Sequence, residues 1–226
     1  MSRRRTSVTC NLRNRVLKSF YIDVVKRVLD ILILVIFSPI LIPLMLVLSL
    51  VVKFSSKGPV FFKQKRFGKG CSFFMIYKFR SMYTDTPKDV PTHLLEDPGR
   101  FITPIGRLLR KLSLDELPQV FNILKGDLTL VGPRPALWNQ NDLIEERAKY
   151  GANDIIPGLT GLAQIRGRDE LPIPVKAAYD GEYCASVSFF LDVKILFLTV
   201  WTVFRSEGVV EGGTGVLDRG DSEVDS

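Results

Sequence analysis

The chain has 226 residues, of which 46% are hydrophobic, and a formal net charge of +7. That length suits one compact domain with attachments, and a mean hydropathy of +0.15 with a pI near 9.4 favours membrane association over a freely soluble protein. Three cysteines without metal-type spacing and a single histidine exclude a zinc centre and a disulfide framework, so the cysteines read as reduced thiols in a cytosolic compartment.

The N-terminal arm, residues 1–19, is basic through Arg3, Arg4, Arg5, Arg13, Arg15 and Lys18. Lys26 and Arg27 continue the cationic run up to the apolar stretch Ile31 to Val52; Lys53, Lys57, Lys63, Lys65, Arg66 and Lys69 follow it. No acidic residue lies between Ile31 and Tyr83. Such a balance fits nucleic acid, anionic lipid or a phosphate-bearing substrate. The apolar stretch, about 22 residues or ~33 Å as a helix, is long enough to cross a bilayer core. Within it stands "FSPILIP", with prolines at 39 and 43. Cationic flanks prefer the cytoplasmic side, and here both flanks are cationic. A helix broken at Ser38-Pro39 enters and leaves on one side; a proline-kinked span crosses. Both readings stay open on the residues alone. Ser38 is expected to bond a backbone carbonyl in the turn before it.

Beyond the anchor the pattern is mixed α/β. Residues 59–82 predict two short strands around a glycine-containing turn. Thr103-Pro104 has the form of an N-cap followed by proline, which predicts a helix over 104–111. Ser113 predicts the start of another, running to Lys125 and closed by Gly126. Residues 126–135 are turn-rich, 138–150 predict a polar helix, 155–169 a loop and short strand, and Pro174 to Ala185 a helix. Residues 188–204 form a second apolar helix, interrupted by Asp192 and Lys194. Its uninterrupted part reaches only ~15 Å, so it lies in the core or on a membrane surface rather than spanning. The Gly-rich, acidic end, 211–226, lacks apolar surface to pack and is expected to be disordered.

Chemistry concentrates in "RKLSLDELPQVFNILKGDLTLVGPRP", residues 110–135. Ser113 and Glu116 have capping-box spacing, and acids favour a helix's first turn; this plain structural reading accounts for Asp115-Glu116. The neighbours argue for more. Arg110 and Lys111 precede the pair, and Arg134 follows, stiffened by Pro133 and Pro135. A guanidinium fork matches phosphate oxygens. Adjacent carboxylates among cations suit Mg²⁺ shared with substrate phosphates, and a carboxylate also serves as a nucleophile in phosphoryl transfer.

The chain resembles bacterial sugar transferases, the small monotopic phosphoglycosyl transferases that act on polyprenyl phosphate. The matching segments are "KRVLDILILVIFSPILIPL", "GPVFFKQKRFG", "FMIYKFRSM", "RKLSLDELPQVFNILKGDLTLVGPRP", "PGLTGLAQIRGR" and "SFFLDVKILFLT", in the family's order from about residue 20 to 206. The family often has Trp where Leu162 stands and Asn where Arg166 stands, and the basic arm is additional. The resemblance implies a helix-rich α/β monotopic membrane protein. It would comprise the arm 1–19, a re-entrant helix-turn-helix over 20–56 bent at Ser38 and Pro39, a catalytic domain over 57–206 with a small β-hairpin and surface amphipathic helices, and a flexible tail over 207–226.

The resemblance also implies a reaction. Asp115 attacks the β-phosphate of a UDP-sugar, expels UMP and holds a phosphosugar, which undecaprenyl phosphate then takes. Glu116 completes the dyad and, with Asp115, places Mg²⁺. Arg110, Arg134, Lys78 and Arg80 are expected to bind phosphate, and Asp180 matches a family carboxylate without an assigned role. The last third leans toward an N-acetylated amino sugar. The implied location is the cytoplasmic face of the bacterial inner membrane, in contact with lipid, and the product would pass to downstream glycosyltransferases. The rival from another class is a membrane-tethered nucleic-acid binder. Against it, the cations interleave with Asp-Glu and Gly-Pro turns rather than forming one stripe, so no nucleic-acid partner is expected. A purely structural anchor would leave Asp115, Glu116 and Arg134 without purpose.

Overall fold

In the computed structural model residues 20–87, 97–167 and 171–205 are described; the arm 1–19, residues 88–96 and 168–170, and the tail from 206 lie outside them. A π-helical turn, Tyr21–Val25, runs into helix α1, Lys26–Ser55. An antiparallel hairpin follows, β1 (Phe61–Phe67) and β2 (Phe73–Phe79), in the register Lys63↔Tyr77. Helix α2 (Pro104–Lys111) starts on a Thr103 cap whose hydroxyl accepts from the Gly106 amide. A 3₁₀ segment (Leu114–Gln119) then leads into α3 (Val120–Lys125), which Gly126 closes at φ 92°. Strand β3 (Thr129–Val131), helix α4 (Asn141–Ala148), strand β4 (Gly158–Thr160), helix α5 (Leu162–Arg166), helix α6 (Ile173–Ser186) and helix α7 (Phe189–Arg205) follow; short helical turns also form at Lys69–Cys71 and Pro98–Phe101. Strands β3 and β4 pair in parallel, a pairing between segments almost thirty residues apart that local sequence pattern does not display. The strand expected within 155–169 is therefore confined to Gly158–Thr160, and a helical turn, α5, takes the residues after it.

Tyr21–Ser55 is a 35-residue helical run long and apolar enough to cross a membrane, and only 6% of its most apolar window is buried inside the protein. Ile36, Phe37, Ile40, Ile42, Leu46 and Leu50 point outward. An apolar surface of that extent belongs against lipid, not water.

The helical run does not stop at the prolines. Helix α1 continues through Ser38, Pro39 and Pro43, where the resemblance implies a break. Pro39 brings no N–H for the carbonyl four residues before it, that of Val35. Ser38 Oγ donates to that carbonyl at 2.7 Å and replaces the missing donor. The expected role of Ser38 thus holds, in a form that preserves the helix.

Both ends of α1 are tied to the same body. At the N-terminal end Arg27 donates to the carbonyls of Ile123 and Leu124, and the Asp30 carboxylate accepts from the Thr129 hydroxyl. At the C-terminal end Val52 is fully buried against Phe79 and Leu109.

Asp192, the charge that interrupts α7, is only 6% exposed. It pairs with Lys26 and accepts from the hydroxyls of Tyr21 and Tyr183, each at 2.7 Å. Ile195 is fully buried beside it, while Phe190, Phe197 and Trp201 are exposed. One face of α7 is therefore core and the other apolar surface, which joins the two readings of that segment.

Candidate active site

Helix α2 ends at Lys111, and the chain reverses through Ser113 at φ 56°. A left-handed conformation at a residue with a Cβ costs roughly 1–2 kcal/mol, so surrounding packing must enforce it. The Ser113 side chain makes no capping bond. The expected capping box is thus not formed, and the continuous helix over 113–125 is replaced by the 3₁₀ segment and α3. Pro118 lies inside the 3₁₀ segment, where its missing N–H falls near a helix start and is tolerated. The tighter winding leaves Asp115, Pro118 and Gln119 buried.

Released from capping, Glu116 turns to two cations. Lys78 Nζ, from β2, stands 2.7 Å from Oε1. Arg134 grips both oxygens, Nη2 to Oε1 at 2.6 Å and Nη1 to Oε2 at 3.3 Å. Asp115 differs: it is 7% exposed, and among the described residues its carboxylate has no hydrogen bond or ion pair. Arg110, in the last turn of α2, donates to the sulfur of Met82 and adds its positive field to Asp115. Burial raises the Asp115 pKa above the usual carboxylate range; Lys78 works against that shift, the Glu116 charge adds to it, and Arg110 and Arg134 oppose it. Burial would raise Glu116 too, but the charges of Arg134 and Lys78 and their hydrogen bonds outweigh it and hold that carboxyl well below its usual range. One sequence dipeptide therefore supplies two carboxylates of opposite character.

Arg134 is placed by backbone packing. The Gly132 amide donates to the Thr160 carbonyl at 2.7 Å, and the Gly158 amide donates to that of Pro133 at 2.9 Å. A Cβ on Gly158 would fall 2.0 Å from the Gly132 nitrogen. Only glycine permits this approach, which fixes the Pro133-Arg134-Pro135 turn against β4.

Residues 21–206 match the family of bacterial sugar transferases. The chain belongs to that family. It is 46% identical over 178 residues to an uncharacterized sugar transferase, EpsL, of Bacillus subtilis, a match covering 78% of this chain and 86% of the relative. It is 39% identical over 189 residues to the UDP-N-acetylgalactosamine-undecaprenyl-phosphate N-acetylgalactosaminephosphotransferase of Aeromonas hydrophila, covering 81% of this chain and 44% of the relative. With the UDP-glucose:undecaprenyl-phosphate glucose-1-phosphate transferase of Caulobacter vibrioides it shares 38% over 198 residues, 82% of this chain and 72% of that one. The chain thus spans less than half of the Aeromonas protein.

Within this sugar transferase the predicted phosphate ligands divide. Lys78 and Arg134 bond Glu116, and with Arg110 they place their positive charge near Asp115. The Arg80 guanidinium bonds elsewhere. It is 5% exposed, and donates to the carbonyls of Val52 (3.1 Å), Ser56 (2.7 Å) and Pro59 (2.5 Å). Those of Val52 and Ser56 belong to the end of α1, where helical carbonyls lack internal partners. Arg80 is a clamp between the membrane helix and the hairpin, a correction to its expected role. Asp180 is likewise elsewhere: it sits on α6, paired with Arg147 of α4 at 2.6 Å.

Asn122 is a structural link beside the site that sequence pattern alone does not single out. It is fully buried in α3; its Oδ1 accepts from the Tyr77 amide at 3.0 Å and its Nδ2 donates to the Met75 carbonyl at 2.7 Å. One side chain thus pairs with the free edge of β2 as a strand residue would. This registers Lys78 against the segment bearing Glu116. A lone Asn inside an apolar helical run was the available signal, since buried amides need partners.

The described residues contain no group of three or more His, Cys, Asp or Glu that could hold a metal. Mg²⁺ commonly binds one or two carboxylates together with substrate phosphates. Asp115 fits that mode, while both oxygens of Glu116 are engaged by cations.

Proposed function

We propose that this sugar transferase moves a sugar-1-phosphate from a UDP-sugar to undecaprenyl phosphate, releasing UMP, as the first membrane step of a glycoconjugate assembly. The printed activities of the Aeromonas and Caulobacter relatives support the reaction class. The observation that carries the mechanism is the split within the dipeptide. Glu116 is held by Lys78 and Arg134, and Asp115 is left without a partner among the described residues.

In this reading an Asp115 oxygen attacks the β-phosphorus. The bond from that phosphorus to the bridging oxygen breaks, and UMP leaves with the electron pair. A phosphate oxygen of undecaprenyl phosphate then attacks the same phosphorus. The aspartyl–phosphorus bond breaks and the carboxylate is restored. Two steps let two dissimilar substrates use one site in turn. Lys78, Arg110 and Arg134 bind the phosphoryl oxygens, and Glu116 holds the Lys78 and Arg134 side chains in place beforehand. Preorganised cations stabilise developing phosphoryl charge without reorganising during the reaction. Asp115, together with the substrate phosphates, would hold Mg²⁺ with Glu116 in support, and the chemistry supplied there would be neutralisation of the diphosphate charge.

The donor we propose is an N-acetylated amino sugar. The relatives include one named for N-acetylgalactosamine and one for glucose, so the distinction rests on direct assay. The membrane segment is read as re-entrant, with the site on the cytoplasmic face of the inner membrane. That topology is supported by the attachment of both ends of α1 to one body, through Arg27 and Asp30 at one end and Val52 at the other. A straight 30-residue helix is ~45 Å long and would carry its cationic ends to opposite sides of a bilayer.

The decisive experiment is UMP release from a panel of UDP-sugars with undecaprenyl phosphate and Mg²⁺, coupled to intact-mass detection of a phosphosugar adduct. The expected result is one preferred N-acetylated donor and an adduct that Asp115→Asn lacks. Turnover without any adduct in quenched single-turnover samples would overturn the two-step reading. For topology, the three native cysteines are replaced and single cysteines set at positions 5 and 57. Both should label only from the cytoplasm; periplasmic labelling at 5 would show a span.

A further inference from the structure

The hairpin has two faces, and the site uses only one. Lys78 and the buried Ile76 lie on the inner face. Opposite residues in the antiparallel register share a face, so Lys63 with Tyr77, Lys65 with Met75, and Phe67 with Phe73 form the outer one. This outer face is cationic and aromatic at once. Lys63 Nζ stands 5.4 Å from the Tyr77 ring centre; Lys65 Nζ lies 4.3 Å from that of Phe73 and 5.5 Å from that of Trp138. Lys125, from α3, lies 4.8 Å from the Tyr77 ring and donates to its hydroxyl at 2.9 Å. Trp138, Phe73 and Met75 are 39%, 50% and 43% exposed. Asp127 is the carboxylate whose field reaches Lys125. The three lysines form no salt bridge within the described residues.

We propose that this outer face is a second membrane contact, one that binds anionic phospholipid headgroups. Three observations select that occupant. The first is charge: three lysines lie over apolar rings, so their ammonium groups are spread on a hydrophobic floor, the pairing found where chains meet a lipid headgroup layer. The second is continuity with the membrane helix. Phe79, on this same outer face, is fully buried against Val52 near the end of α1, and Phe61 stacks on it at 5.6 Å. At the other end of α1, Arg27 donates to the last carbonyls of α3, the helix that carries Lys125. The third is the apolar surface between them, since Phe121 and Leu124 of α3 are 44% and 50% exposed. The helix ends, α3 and the hairpin face thus form one continuous surface whose middle is greasy and whose rim is cationic. Each lysine near an anionic surface adds to the attraction. Fixing the hairpin there orients the body relative to the bilayer and turns Lys78, on the reverse face, inward to Glu116.

The test uses the full chain reconstituted in nanodiscs. Trp201→Phe leaves Trp138 as the single tryptophan, since the chain has two. Its fluorescence is read against a lipid carrying a headgroup nitroxide and against aqueous iodide. Discs of phosphatidylcholine alone are compared with discs containing phosphatidylglycerol. The expected result is strong nitroxide quenching, weak iodide quenching, and a nitroxide effect that rises with phosphatidylglycerol and falls with salt. Replacing Lys63, Lys65 and Lys125 together by Gln should remove the phosphatidylglycerol dependence while UMP release in detergent is retained. Free access of iodide with no response to the nitroxide would overturn the proposal, and so would a nitroxide effect equal in both lipids. A response that appears only when a cytosolic fraction is added would assign the face to a protein instead.

Discussion

Two carboxylates in this molecule, Asp180 fully buried and Glu116 partly so, are gripped by arginine, and their surroundings differ. Asp180 and Arg147 join α6 to α4, and their side chains are 1% and 5% exposed. Glu116 meets Arg134 and Lys78 with Arg134 left 33% exposed. The closed pair is one acid and one base, sealed by packing. The open set is three cations, Lys78, Arg134 and Arg110, around two acids: Glu116 is bonded by the first two, and Asp115 is bonded by none. Equal numbers of opposite charges in a dry place hold a fold together. An excess of cations around an accessible edge leaves attraction over for a ligand phosphate. Burial raises the Asp180 pKa while Arg147 pulls it down; at Glu116 the cations win outright. Proximity of a carboxylate to an arginine is therefore a poor guide to function, and stoichiometry with exposure is a better one.

That contrast breaks most sharply at Asp115. Asp115→Asn should lower UMP release by ~10⁴-fold or more, the scale of losing a nucleophile, yet leave thermal stability at neutral pH equal or higher. The sign follows from the raised pKa. A raised carboxyl contributes stability at low pH that is lost as pH rises through its folded value, and Asn removes that loss. A calorimetric melt beside the assay checks both parts. The closed pair should answer in the opposite way. Arg147→Met leaves a buried, unpaired Asp180 and should cost about 3–5 kcal/mol in denaturant unfolding, whereas adding Asp180→Leu should recover most of it. Turnover per folded molecule should hardly change; a selective loss of turnover would place Asp180 in the chemistry.

Arg134→Lys keeps the charge and loses the fork. UMP release should fall by ~10²-fold, in the range for removing one preorganised donor, with little change in melting. Wild-type behaviour would make Arg134 a bystander. The smallest effect concerns pH. Lys78 is the foremost influence opposing the rise of the Asp115 pKa. Lys78→Met should therefore raise that pKa further and move the acid limb of kcat/KM to higher pH, on top of any loss in rate. An unmoved limb would separate the limb from Asp115.

Much of the fold was legible because it is local. Thr103-Pro104 sets a helix start, Gly126 ends one, and the two strands around Gly68–Gly70 follow from alternation. Asp115, Glu116 and Arg134 stand out in the sequence by charge density in one segment. The boundary at Ser113 was misread because the same S-x-x-E spacing serves a capping box and this turn; which forms depends on Lys78 and Arg134, remote in the chain, drawing Glu116 away. The position of Arg80 escapes the sequence for a similar reason. Its neighbour Lys78 faces the site, but Arg80 meets the end of α1, and only the packing of Val52 on Phe79 puts those carbonyls within its reach.

The sequence by itself determined what depends on near neighbours: an apolar segment with cationic ends, a Ser38 hydroxyl that replaces the donor missing at Pro39, and a cluster of acids and bases suited to phosphate. The tertiary structure decided which charges meet. Lys26 finds Asp192 across 166 residues, Asn122 finds the edge of β2, and Arg134 reaches Glu116 because Gly132 and Gly158 bring two backbones into contact. Charges and amides act over a few ångströms, and pattern along a chain does not report which distant residues come that close.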